Sequence, residues 1–145
     1  MNTKKEQLSY YALRLKELLN TSFPELSGNT DFINHRSQHA ANAYEAAFRS
    51  GNRLEQCNAI AEYILCENLH FSRFDTVFKV VCGEFDSIMA DEELRPFALK
   101  MFPVCEPVFR EYPLTDEFAD SPEFDVLYTE LTGTIQIWIE ENGLW

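Results

Sequence analysis

His35 and His39 stand four positions apart, and so do Cys66 and His70, a spacing that puts both members of each pair on one face of a helix. If the two helices form a hairpin that turns near residues 51 and 52, position 70 returns opposite position 33 and position 66 opposite position 37. His35, His39, Cys66 and His70 would then share one level. Such nitrogen and sulfur donors suit a tetrahedral Zn²⁺, with Asp31 one turn from His35 as an orienting carboxylate. Neither pair carries the glutamate of a His-Glu-x-x-His helix. The competing reading leaves His35 and His39 on a solvated flank beside Arg36 and Gln38. In that reading His70 ends a helix, where an imidazolium complements the dipole, and Cys66 is core.

A nucleophilic cysteine needs a helix N-terminus or a basic neighbour to lower its pKa. Cys57 is the nearest of the four to a helix start and Cys66 the nearest to a histidine. Cys82 sits between Val81 and Gly83, and Cys105 lies between Pro103 and Pro107, so packing explains them better than reactivity does. There is no Gly-x-Ser-x-Gly elbow and no glycine-rich phosphate loop. No catalytic residue and no cofactor is assigned, and the chain reads as non-enzymatic.

Carboxylates are the more abundant chemistry. Asp116, Glu117, Asp120, Glu123 and Asp125 crowd one stretch, without the alternating ligands and closing glutamate of an EF-hand. The charge map is lopsided: residues 1–71 hold eight acids and seven bases, residues 72–145 hold 16 acids and five bases, and after Arg110 nine acids meet no base. Phe118, Phe124, Tyr128, Trp138 and Trp145 punctuate that acidic end. Aromatic anchors among carboxylates make a face for a basic protein partner, with Asp116, Glu117, Phe118, Asp120 and Glu123 as its candidate residues. The bland alternative is a solubilising surface over a helical core.

The whole-chain balance of −12 repels phosphate, which argues against direct nucleic-acid binding and anionic membrane surfaces. No stretch approaches the roughly 20 apolar residues that span a bilayer. At 145 residues with 46% hydrophobic content, residues 1–145 are expected to fold as a single domain. Four cysteines without a C-x-x-C pair, and an N-terminus lacking the central apolar block of a signal peptide, point to a reducing cytoplasm.

The elements that must position these residues are helices. Leu8, Tyr11, Ala12, Leu15, Leu18 and Leu19 mark the first, which should end near Asn20. Asn29 or Thr30 caps a second that buries Ile33, Ala40, Ala43, Tyr44, Ala47 and Phe48 and stops at Gly51. Asn52 and Glu55 make a capping box for a third, with Leu54, Cys57, Ile60, Ala61, Ile64, Leu65 and Leu69 as its stripe, so residues 30–70 form an antiparallel hairpin. Ser72 caps a fourth, rich in phenylalanine. Prolines at 96, 103, 107 and 113 then predict two short helices, residues 94–102 and 104–111, because each lacks an amide donor and clashes with the preceding turn. Tyr112 to Asp120 reads as a polar loop. Ser121-Pro122-Glu123 starts a long last helix that should run to Asn142 and stop at Gly143, although Ile135, Ile137 and Ile139 also alternate as in a strand.

The opening run from Met1 to Lys16 and the closing run from Tyr112 through Glu130-Leu131-Thr132-Gly133-Thr134-Ile135-Gln136-Ile137-Trp138 to Gly143 resemble a bacterial family of unknown function. Its members are small all-helical proteins often encoded on conjugative transposons. The resemblance spans essentially the whole chain and implies a fold and a setting, without an activity. The expected architecture is an all-α, compact single-domain bundle of about five to seven helices with a central hairpin and a long C-terminal helix. The leading functional expectation is a protein-interaction or accessory role through the acidic, aromatic-bearing end. The alternative is metal binding by His35, His39, Cys66 and His70, and a minor one is an acidic mimic of nucleic acid. The mimic is disfavoured by density, since a duplex presents about one charge per 1.7 Å of axis and the last helix is much sparser.

Overall fold

A computed structural model describes residues 3–144, and every regular element among them is helical: α1 Thr3–Ser22, α2 Thr30–Arg49, α3 Leu54–Leu65, α4 Arg73–Glu84, α5 Asp91–Phe109 and α6 Glu123–Asn142. Short 3-10 turns, Asp86–Ile88 and Phe118–Asp120, precede α5 and α6. The chain divides between His70 and Phe71 into two compact units.

In the first unit, α1, α2 and α3 bury a core of Tyr11, Leu15, Leu19, Ile33, Ala40, Ala61 and Leu65. Of the two expected cap candidates, Asn29 rather than Thr30 caps α2, its side-chain oxygen accepting from the Phe32 N–H at 3.0 Å. The buried stripe of α2 differs from the expected one: Ser37 and Ala41 face inward, while Phe48 is 57% exposed. The capping box also shifts by one residue. The Asn52 side chain turns back to donate to the Ala47 carbonyl (2.9 Å), one of the orphan acceptors at the end of α2, and Gly51 takes φ +90° to allow the turn. The Arg53 N–H donates to the Gln56 side chain instead (3.1 Å), leaving Glu55 outside the cap. On α3 only the narrow stripe Cys57, Ala61 and Leu65 is buried, with Leu54 61% exposed and Ile60 also outward.

Side chains tie α1 to α3. The Tyr11 hydroxyl donates to Asn58 (3.1 Å), and Arg14 pairs with Glu62 (2.9 Å). Ser37 is fully buried, and its hydroxyl lacks a hydrogen-bond partner among the described residues. A desolvated hydroxyl without a partner costs free energy, and serine is a weaker helix former than alanine. Ser37→Ala should therefore raise unfolding stability by about 1 kcal/mol in urea melts; a loss of stability would contradict this assignment.

The second unit packs α4, α5 and α6 around Phe74, Val77, Val81, Met101, Cys105, Phe109, Leu127 and Leu131. Ser72 caps α4 by accepting from the Asp75 N–H (2.9 Å). The two short helices expected after residue 93 are one continuous helix, α5, with Pro96, Pro103 and Pro107 inside it. Separations of seven and four put all three prolines on one exposed face, while Leu94, Phe97, Ala98, Met101, Cys105 and Phe109 are buried. The missing donors and freed carbonyls thus lie where water can satisfy them, and burial of the other face outweighs the local cost.

The helix α6 runs unbroken through Gly133, which settles the alternation of Ile135, Ile137 and Ile139 in favour of helix. The hydroxyls of Thr129, Thr132 and Thr134 donate to carbonyls four residues back at 2.9–3.0 Å. Gly143 stops the helix at φ +76°, its N–H reaching the Ile139 carbonyl. The expected hydroxyl cap at the other end is absent: Pro122 stands at the cap position without a side-chain bond, and Ser121 donates its hydroxyl to the Phe118 carbonyl (2.7 Å).

Candidate functional site

The acidic segment between α5 and α6 is built rather than loose. Successive turns link Thr115 to Pro113, Phe118 to Thr115, Asp120 to Glu117 and Ser121 to Phe118 through backbone hydrogen bonds of 2.8–3.0 Å. Phe118 anchors it: the ring is 3% exposed and meets Phe71, Tyr112 and Phe124 edge-on at centroid distances of 5.5, 5.8 and 6.4 Å. Phe118 is therefore a core residue, and its place among the expected partner-contacting side chains is corrected. A lone aromatic in an acidic loop has no periodicity to reveal its burial. The Tyr112 hydroxyl donates to Glu130 (2.5 Å), a bond that holds the phenol neutral and pushes its pKa up to about 12.

Around this anchor Asp116, Glu117, Asp120, Glu123 and Asp125 are all exposed. Four of the second unit's bases are held over aromatic rings, one of them on Phe124 beside the anchor. Arg73 lies over Phe102 (5.6 Å to the centroid) and is paired with Glu106, and Arg95 covers Phe74 and Phe78 (4.8 and 5.8 Å). Lys79 sits over Phe124 (5.2 Å) and Lys100 over Trp138 (4.9 Å). Four of the unit's five bases thus rest on aromatic rings, leaving the loop carboxylates without an ion pair among the described residues. These pairings join residues far apart in sequence, so no spacing rule could have found them. Phe124, Tyr128 and Trp138 are half-buried, and Trp145 lies outside the described residues.

A shallow groove runs along α6, lined by Glu84, Phe85, Tyr128, Thr129, Thr132, Gly133 and Gln136. The Tyr128 hydroxyl donates to Glu84 across it (3.3 Å), and burial together with that carboxylate raises the phenol's pKa. A Cβ at Gly83 would come within 2.5 Å of the Tyr128 hydroxyl, so Gly83 is required for this ring position. Sequence reading missed the groove because α4 and α6 contribute its walls from distant segments.

The expected metal ligands do not assemble. His35 and His39 do meet, with ring centroids 4.6 Å apart on the exposed side of α2, but no group of three or more His, Cys, Asp or Glu among the described residues is arranged to hold an ion. Cys66 is half-buried after α3 and His70 is exposed beyond it. Burial pushes the Cys105 thiol up to about 12 and raises those of Cys66 and Cys82, with Glu62 and Asp86 adding to the respective shifts. None of these three shifts is the lowering that activates a nucleophilic cysteine. No described helix is long and apolar enough to cross a membrane.

Residues 3–144 match the family described as "Domain of unknown function (DUF1896)". No curated protein matches the chain. Among solved structures, the crystal structure of protein PG0816 from Porphyromonas gingivalis is 42% identical with a TM-score of 0.88, over 100% of this chain and 99% of that one.

Proposed function

We propose, for a chain that belongs to the DUF1896 family of domains of unknown function, a non-enzymatic role as an interaction protein that presents its acidic segment to a basic protein partner. The observation that carries this reading is the pairing of an anchored, exposed set of carboxylates with bases drawn onto aromatic rings. A segment whose backbone is already ordered by its turns loses less freedom on binding, so more of the attraction of its carboxylates appears as affinity. Their field also steers a basic partner into contact. Four free cysteines fit a reducing compartment such as the cytoplasm.

The test is titration with a synthetic lysine- and arginine-rich peptide. Asp116→Asn, Glu117→Gln, Asp120→Asn and Glu123→Gln combined should weaken binding about tenfold or more, since exposed pairs contribute about 0.2–1 kcal/mol each. A control with the same net charge, Glu6→Gln, Glu17→Gln, Glu55→Gln and Glu67→Gln, should bind within about twofold of the wild type. Equal losses in the two variants would reduce the acidic segment to a diffuse charge effect and defeat the reading.

A further inference from the structure

Gly133 occupies the middle of α6, where glycine costs about 1 kcal/mol relative to alanine. Nothing in the chain requires it: φ is not in the left-handed region, and a Cβ built there meets no atom within 4 Å. Gly83 is the contrast, since the Tyr128 hydroxyl fills the space its Cβ would take. Gly133 is exposed and lines the groove with Tyr128, Thr132 and Gln136, and its absent side chain leaves that stretch of the lining open.

The groove has one electrostatic sign. Glu84 lies in its wall, and no lysine or arginine lines it. On the helical repeat, Asp125 and Glu140 fall on the same side of α6 as Thr129, Thr132 and Gln136, and Glu140 accepts from the Gln136 amide at 3.2 Å. Asp125 and Glu140 are about 22 Å apart along the helix at 1.5 Å per residue, the reach of roughly seven extended residues. The half-buried Tyr128 holds the Glu84 carboxylate at the groove through its hydroxyl, and a carboxylate fixed in this way suits a guanidinium.

We infer that this groove is the specificity site for an extended arginine-bearing segment of the basic partner, whose backbone passes over Gly133 while one guanidinium pairs with the Glu84 carboxylate from the solvent side, beside Tyr128. The inference rests on the proposed interaction role and places recognition in the groove, with the acidic segment supplying attraction.

The test uses the full chain, ¹⁵N-labelled, titrated with the peptide acetyl-(Arg-Ala)₄-amide. Saturable shifts should appear at the amides of Thr132, Gly133 and Gln136. Glu84→Gln should weaken binding about tenfold. Gly133→Leu should weaken it at least tenfold while the melting temperature holds or rises, which separates occlusion of the groove from damage to the fold. Shifts confined to residues 116–123, with Gly133→Leu binding within twofold of wild type, would overturn the groove and leave the interaction role standing. An absence of saturable shifts anywhere would overturn both.

Discussion

Phe118→Ala is expected to destabilise the protein by about 3–5 kcal/mol, the range for truncating a buried phenylalanine. The ring is almost wholly buried and makes edge-on contacts with Phe71, Tyr112 and Phe124, so removal forfeits both the transfer of its surface and the geometry of three aromatic neighbours. Phe118→Leu, which keeps most of the volume, should cost only about 1–1.5 kcal/mol. The same pair of variants reports on binding. With alanine the acidic segment loses its anchor and must be ordered by the partner, so peptide affinity should fall although no charge has been removed. Urea melts and titrations of the two variants test both parts. A cost below 1 kcal/mol for alanine would show that the segment is held by its turns alone.

The second large effect is alkaline. The Cys105 thiol, fully buried in the second unit, has its pKa pushed from an ordinary 9.0 to about 12 in the folded chain. Between pH 9 and 12 the unfolded chain releases this proton and the folded chain keeps it, so stability falls as pH rises, by about 1.4 kcal/mol per unit and about 4 kcal/mol in all. Tyr11, buried in the first unit and raised from 10.0 to about 12, adds a loss of the same sign that begins only near pH 10. Urea melts at pH 8, 9 and 10 should show the decline. Cys105→Ala should flatten its slope between pH 9 and 10, whatever the substitution costs at neutral pH. An unchanged slope would mean that Cys105 ionises in the folded chain as readily as in the unfolded one.

What could be read in advance divides along the range of the interactions involved. The caps at Asn29 and Ser72 and the stop at Gly143 depend on residues within a few positions, and all three stand where the sequence places them. The proline-bearing helix α5 is continuous where two short helices are expected, because proline's penalty is local, whereas the burial of Met101, Cys105 and Phe109 that outweighs it is tertiary. At residues 51–53 two helices compete for one side chain, and Asn52 closes the earlier helix instead of opening the later.

The candidate site followed the same division. Its carboxylates were legible as a run, while the burial of Phe118 and the docking of Arg95 and Lys100 on distant rings were not. Among the histidines, His35 and His39 meet because they share one helix. Convergence with Cys66 and His70 needed a register between helices that patterning alone does not set.

The central claim is that a basic partner binds the acidic segment, and capture from cell lysate at two salt concentrations tests it most directly. Wild type and the variant combining Asp116→Asn, Glu117→Gln, Asp120→Asn and Glu123→Gln are compared at about 50 and 500 mM salt, where the screening length shrinks several-fold. The account predicts a partner of net positive charge, retained by the wild type at low salt, released at high salt and lost by the variant. A partner held equally by both proteins at both salt concentrations would contradict it.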